Sequence, residues 1–480
     1  MYGFPKTHKE NFPMRPIISS INTPTYELAR NLSRELKRVF PKTKYSIDNS
    51  FELKKLLNNT RVPPNHIMVS FDAKSLFTNV TITHVIETLE KRSSVLSQKS
   101  IIPPHEIIRA IQFLYNNNYF TFDNKIFRQK DSSPMGSPIS PIVSDFVLED
   151  LETFCLNSLK HIFKPIIYVR YVHDIFTIIP ENMVFIMLNV FNAYDLLKRI
   201  QFTYEIESEF KINYLDITII RDDEGNLMTD WYRKNISSGR TLNFESNQPI
   251  HQKRAVIFNM VDRAIILSNE TFHKKNLEIV KNTLILNNYP KKFIDKYLTI
   301  RFKKLKKNNF QLNNNKELKN KYKNSLKIPL PYQKDLYEDI NKIIKPFDLH
   351  AIPRSFYDQS KIVIKGKDKT TLDLQTNSVY KINCKQCPAS YVGESKRRLF
   401  IRKQEHQKNY NNVINGHCQT LNHTFDFKNT SILETERNRR KRKISEMIYI
   451  SLQEESINLQ NDTKNLHKPY TSLIKRIKQL

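Results

Sequence analysis

The chain of 480 residues is too long for one ordinary core and suggests two or three domains, and 39% hydrophobic with 11% aromatic residues excludes disorder throughout. Its 77 Lys and Arg against 48 Asp and Glu leave a formal charge of +29, a field that collects polyanions and makes nucleic acid the expected partner. No apolar run approaches the roughly 18 residues of a membrane span, MYGFPKTHKE carries no apolar signal region, and four cysteines are too few for a disulfide framework, which fits a reducing compartment.

From residue 1 to about 270, apolar strand-like runs such as HIMVSFDA and IIYVRYV alternate with helical stretches such as SPIVSDFVLEDLETFCLNSL, the pattern of a mixed α+β domain. PKTHKENFPMRPII offers Lys6 and Arg15 as cations for a triphosphate. VSFDAKSLFTNV sets Asp72 at the end of an apolar strand, where a carboxylate can hold a divalent metal, with Phe77 following in the next turn. In RQKDSSPMGSPISPIVSDF, Gly136 and its flanking prolines break the chain before a helix, giving a loop able to approach a base pair closely. RYVHDIF delivers Asp174 to a second turn, preceded by His173. Taken singly, each is an ordinary feature: a strand-end Asp is often a cap, and MGSP is often a plain turn.

Their order resembles the reverse transcriptase of Penelope-like retroelements, in YGFPKTHK, MRPIISS, SPMGSPISP, RYVHD, FTYEIE, NYLD and WYRK, from Tyr2 to about Arg263. The resemblance implies a right-hand polymerase with fingers, a ferredoxin-like palm and a helical thumb. Asp72 and a carboxylate pair would hold Mg²⁺ or Mn²⁺, while Lys6, Arg15 and the Gly136 loop would meet the incoming deoxynucleoside triphosphate. Phe77 matches the family's aromatic gate against a ribose 2′-OH, with core packing as its other reading. Three departures stand out. Ser132 occupies a position where the family has Gly; the chain opens inside the first motif, so an N-terminally incomplete protein is expected; and His173 replaces the first carboxylate of the pair. Imidazole suits Zn²⁺ and other transition metals better than Mg²⁺, so impaired polymerisation is expected.

Residues 271–327 read as a helical thumb-like region running into a basic, Asn-rich tract from Arg301 to Lys327, a linker or solvated face. A connector over 328–375 and a third domain over 376–465 follow, then a basic tail over 466–480. In the third domain VYKINCKQCPASYVG places Tyr380 and Tyr391 on successive strands, both phenols facing one side near a turn at Gly393. Arg402 lies on a helix face; Glu446 projects from a helix that would bury Ile444, Met447 and Ile448; and Asn458 follows. A phenolate that activates water, a guanidinium that neutralises a phosphorane and a carboxylate that holds a metal are the parts of a metal-dependent nuclease. Amphipathic strand tyrosines and an exposed helical Glu are the alternatives.

This order resembles the GIY-YIG endonuclease domain in its Penelope-like arrangement, a small α/β fold. The resemblance implies Tyr380 and Tyr391 as water-activating groups, Arg402 as phosphate ligand, Glu446 as Mg²⁺ ligand and Asn458 as a supporting residue. Cys384 and Cys387, with His417 and His423, have spacing close to structural Zn²⁺ patterns, with Cys418 able to stand in for His417 and reduced, metal-free cysteines as the other reading. RNRRKRK, Arg437 to Lys443, reads as a DNA-facing cationic helix, a nuclear localisation signal or a solvated charge run.

The expected whole is a retroelement reverse transcriptase joined to an endonuclease for target-primed reverse transcription, acting in the nucleus after cytoplasmic synthesis. Its partners would be a DNA target, an RNA template and deoxynucleoside triphosphates, with no membrane role. A nuclease with a dead polymerase fold and a non-catalytic nucleic-acid-binding remnant are the alternatives.

Overall fold

The computed structural model describes residues 2–5, 14–21, 23–123, 125–234, 236–308, 326–354, 371–408, 412–467, 470–471 and 474; Lys6, most of the Asn-rich tract and most of the basic tail lie outside them. Two units separate, Met1–Lys367 and Asp368–Leu480.

Period-two alternation builds the main sheet of the first unit. In HIMVSFDA, Val69, Phe71 and Ala73 point to one core while Met68 points to the other. DIFTIIP is buried from Ile175 to Ile179 because it is covered on both faces. The order across the sheet is Ile167–Tyr171, Asp174–Pro180, His66–Ala73, Phe202–Ile206, and all three pairings are antiparallel. Helices Tyr26–Val39, Ile82–Lys91, Pro104–Asn116, Ser140–Leu159 and Val184–Ala193 close one face. Helix Ser50–Leu57 and the three-stranded sheet of Lys211–Tyr214, Ile217–Arg221 and Leu227–Trp231 close the other.

Helices Ile250–Ile266, Glu270–Ile285 and Lys291–Lys307 share a separate core of Ile257, Val261, Val280, Leu284, Ile294 and Leu305. Pro249 and Pro290 stand at two of the helix starts, where a missing N–H costs nothing. The cluster therefore begins before residue 271. Its third helix also takes in the start of the basic tract: Arg301 forks onto Asp262 at 2.6 and 2.7 Å, and Leu305 is buried, so residues 301–307 are packed helix and not linker. Beyond it, strands Leu326–Pro331 and Leu349–Arg354 pair in parallel around helix Leu336–Ile344.

The second unit is a three-stranded antiparallel sheet, ordered Ser390–Ser395, Ser378–Asn383, Ser431–Thr435, with helices Leu399–Lys408, Val413–Leu421 and Arg439–Leu452. Asn438 caps the last helix by accepting from the N–H groups of Arg440 and Lys441. Ile444, Met447 and Ile448 on this helix are only half-buried; Ile450 is its buried apolar anchor. Among the described residues no helix is long and apolar enough to cross a membrane.

Candidate active sites

In the first unit, Asp72 and Asp174 are direct partners in the antiparallel register of their strands. Both share the strand face of Met68 and Phe176, so both carboxylates emerge on one side of the sheet. The hairpin that presents Asp174 turns through Val172 and His173, and Val172 sits at φ 57°, a left-handed conformation that a β-branched residue adopts only when its surroundings enforce it. The enforcement is Arg170. Fully buried, it reaches Glu152 at 2.9 Å, Asp145 at 2.5 Å and the Val172 carbonyl at 2.9 Å. Removing one member of such a buried ionic set costs about 3–5 kcal/mol. On the other side Tyr214 donates to the Asp174 carbonyl at 2.6 Å.

His173 Nε2 lies 3.8 Å from the Asp72 carboxylate, and the ligand atoms of Asp72, His173 and Asp174 all fall within 4.8 Å of one another. Burial, with the neighbouring Asp72 charge, raises Asp174 above the ordinary carboxylate range against the pull of His173. The set does not fit the all-oxygen shell that Mg²⁺ demands; two carboxylates and an imidazole suit a transition-metal dication such as Mn²⁺. The His173 Nδ1 is buried without a hydrogen-bond partner, so this imidazole is not locked in place by a second group.

Phe77 is half-buried and, with Tyr171, Val172 and Pro141, lines a cavity of about 280 Å³ instead of joining a core. Its carbonyl accepts from Ser133 N–H at 3.0 Å, which ties it to the Gly136 loop. Gly136 has φ +120°, and a Cβ there would meet the Ile18 carbonyl oxygen at 2.6 Å. The loop is stitched to the segment after Arg15 by Ile18 N–H to Met135 O at 2.9 Å and Ser20 Oγ to Gly136 O at 3.0 Å. Arg15 itself lies on strand Met14–Ile17. Ser132 has φ +77°, the region where glycine is favoured, and Gln129 Nε2 donates to its Oγ at 2.8 Å.

In the second unit, Tyr380 pairs with Gly393 and Ile382 with Tyr391 across two strands, so both tyrosines share one face. Gly393 lies within a strand and not at a turn. A Cβ there would meet Tyr380 Oη at 2.8 Å and Tyr391 Cε1 at 2.9 Å, so glycine is what lets the two rings converge. Arg402 Nε donates to Tyr380 Oη at 3.2 Å, and Tyr380 Oη is 2.8 Å from His406 Nε2. An arginine only donates, so Tyr380 Oη accepts from Arg402, while its second hydrogen bond, to a neutral His406, takes its direction from the imidazole tautomer. Burial, then the Arg402 charge, lowers His406 to about 4 in keeping with this. Burial raises both phenols above their ordinary value. Neither is a resting phenolate near pH 7. The partner of Tyr380 here, His406, is a residue missed on sequence grounds although its spacing of four from Arg402 on one helix was a readable sign.

Glu446 accepts the Glu394 N–H at 2.9 Å, and burial followed by the Glu394 charge raises it to about 7. Its charge is felt at both Tyr380 and Tyr391, so helix and sheet face one centre. Tyr391, Arg397, Arg402, Glu405, His406 and Lys408 line an open cleft of about 600 Å³. A single carboxylate with room for solvent and phosphate oxygens fits a divalent ion of the Mg²⁺ type. Asn458 stands apart from these groups: its Oδ1 accepts Val392 N–H at 3.0 Å and its Nδ2 donates to Val392 O at 2.8 Å, which pins the outer strand.

Cys384, Cys387, His417 and His423 bring their ligand atoms within 4.8 Å of one another, and Cys418 is not in the set. Cys384 Sγ to His423 Nδ1 is 3.6 Å, Cys387 Sγ to His417 Nε2 is 3.5 Å, and the two nitrogens are 3.2 Å apart. Tetrahedral Zn²⁺ with its usual bond lengths requires S···N edges of about 3.5 Å and N···N edges of about 3.3 Å. The four residues fit that ion.

The run Arg437–Lys443 is not uniformly solvated. Arg442 is buried, bound to Glu394 at 2.5 Å and donating to the Glu436 carbonyl at 2.8 Å, so one of its cations holds the fold together while Arg439, Arg440, Lys441 and Lys443 are exposed.

A family model described as an animal helix-turn-helix domain matches residues 240–299, which take in the first two helices of the separate helical core and the start of the third. No curated protein sequence matches the chain. Solved structures with partial overlap include telomerase from Candida albicans in complex with a fragment of telomeric RNA, at 10% identity over 55% of this chain and 47% of that one, TM-score 0.40. Apo telomerase from Candida tropicalis overlaps at 12% identity over 59% and 51%, TM-score 0.35. The BmCPV RNA-dependent RNA polymerase in its elongation state overlaps at 13% over 57% and 25%, TM-score 0.37. The chain thus spans about half or less of each of these proteins, and with every TM-score below 0.5 the functional reading rests on the geometry of the sites.

Proposed function

We propose that the chain is a retroelement-type nucleic-acid enzyme whose second unit is a metal-dependent DNA endonuclease of the GIY-YIG kind. The observation that carries this is the convergence of Tyr380, Tyr391, Arg402 and Glu446 from two strands and two helices, with Tyr391 and Arg402 lining an open cleft. Arg402 faces the scissile phosphate and neutralises its developing charge. Tyr380 and Tyr391 orient the attacking water, Tyr380 being held by its contacts to Arg402 and His406. Glu446 would hold the divalent ion, which supplies further charge stabilisation at the phosphate when bound. Zn²⁺ on Cys384, Cys387, His417 and His423 serves as a structural clip. The test is nicking of supercoiled DNA by the purified chain with and without Mg²⁺; intact plasmid under all metal conditions sinks the reading.

The first unit is proposed as a reverse transcriptase palm, with Asp72 and Asp174 as metal ligands, Phe77 and the Gly136 loop bounding the nucleotide pocket, and Lys6 and Arg15 as triphosphate cations. Its substrates would be an RNA template, a DNA target and deoxynucleoside triphosphates, and its place of action the nucleus. Because His173 faces Asp72 at 3.8 Å where an oxygen ligand is needed, a second reading applies to this unit, in which it binds nucleic acid for the nuclease and polymerises poorly.

A further inference from the structure

Between the pocket residue Phe77 and the Gly136 loop, the chain runs out into a hairpin, Tyr119–Phe122 paired with Lys125–Arg128. Its register couples Phe120 with Phe127 and Phe122 with Lys125 on one face, and Tyr119 with Arg128 and Thr121 with Ile126 on the other. An isolated two-stranded hairpin gains little from folding and normally hides at least one apolar face. This one hides neither. Phe122 is 50% exposed, Phe127 41%, Tyr119 50% and Ile126 76%. Phe120 and Phe127 stack at 5.6 Å and 19°, which stiffens the ribbon and leaves an aromatic surface to solvent.

The charges choose the occupant. Lys125, Arg128 and Lys130 are exposed in or beside the ribbon, against Asp123 at its tip, while Asp131 is paired with Arg199. Lys125 stands directly across from Phe122. Lysine is depleted from the cores of protein–protein interfaces, whereas rings interleaved with cations are what a single nucleic-acid strand requires, the rings taking bases and the cations phosphates. Same-face neighbours along a strand are about 6.7 Å apart, so Phe120 and Phe122 leave room for one base.

The geometry points to a single-strand binding platform on this hairpin, stacking bases on Phe122 and Phe127. It rests on the nucleic-acid reading above for its ligand class. Binding of a labelled single-stranded oligonucleotide to the full chain, without nucleotides, tests it. Phe122→Ala should weaken single-strand affinity about tenfold, with the salt slope and the affinity for duplex unchanged, and Phe122→Trp should match or exceed the parent. Lys125→Glu with Arg128→Glu should lower the salt slope by about two. Equal single-strand affinity for the parent and Phe122→Ala overturns the platform, as does a change of oligomeric state on that substitution, which would mark a protein contact instead. A parent chain that binds neither single strand nor duplex brings down the broader nucleic-acid reading.

Discussion

Asp72 and Asp174 stand opposite each other on neighbouring strands, and the group closest to completing a triad with them is the His173 imidazole, 3.8 Å from Asp72. Primer extension by the parent should be weak with Mg²⁺ and stronger with Mn²⁺, and His173→Asp should raise the Mg²⁺-dependent rate by orders of magnitude. Single-turnover extension with each metal checks this; robust Mg²⁺-dependent extension by the parent counts against it.

Nicking should depend on Glu446 and Arg402. Each Ala substitution should lower the rate on the order of a hundredfold without unfolding the unit, since neither side chain carries a core. Arg442→Ala should instead destabilise the unit by about 3 kcal/mol or more through the stranded Glu394 carboxylate, and charge reversal of Lys441 and Lys443 should only weaken DNA binding and flatten its salt dependence. Thermal melts alongside plasmid assays separate the three behaviours.

About one Zn²⁺ per chain is expected on elemental analysis of protein prepared without chelator. Its removal should unfold the second unit, with His423→Ala reproducing the loss. Metal-free protein with an unchanged melt excludes the site.

In the second unit His406 and Glu446 should contribute opposing pH dependences in mild acid. His406 sits at about 4 in the folded chain against an ordinary 6.5, so the neutral ring's contribution is complete above pH 6.5 and disappears as pH falls toward 4. The difference amounts to about 3 kcal/mol. Glu446, at about 7 against an ordinary 4.5, works the other way and favours the fold as pH falls, so Glu446→Gln should lay the His406 loss bare and His406→Gln should gain stability on acidification, read by urea midpoints at pH 7 and pH 5.

Ser132 pays for a left-handed backbone. Ser132→Gly should stabilise the first unit by up to about 1 kcal/mol, whereas Gly136→Ala should cost about 2 kcal/mol or more, because its Cβ would strike the Ile18 carbonyl. Denaturant midpoints with unchanged m-values report both.

Residues proposed here for chemistry are easier to read than those that position them. Asp72, Asp174, Tyr380, Tyr391 and Glu446 sit in short motifs at strand ends or on a helix face, and the order of those motifs carries the resemblance that nominates them. The buried Arg170 set, the Arg442–Glu394 pair and the Tyr380–His406 contact join positions 18, 48 and 26 residues apart, and local periodicity carries no sign of such partners. The helical core was cut at residue 270 because the strand-like pattern before it masked the first of its three helices. Arg301–Lys307 looked like linker because its lysines outnumber its apolar residues, yet one buried leucine and one bidentate arginine suffice to seat it.

Asn458 has a consequence for how this protein survives at high concentration. The strand Ser390–Ser395 ends its sheet and would otherwise offer free N–H and C=O groups to any passing strand. By taking both backbone groups of Val392, with Ser390 N–H also bound to Glu455 O and Ile457 N–H to Ser390 O, the segment from 455 to 458 acts as a chain-end stopper. Asn458→Ala would reopen that edge, and its first symptom in the test tube would be aggregation that grows with protein concentration while the remaining monomer still folds.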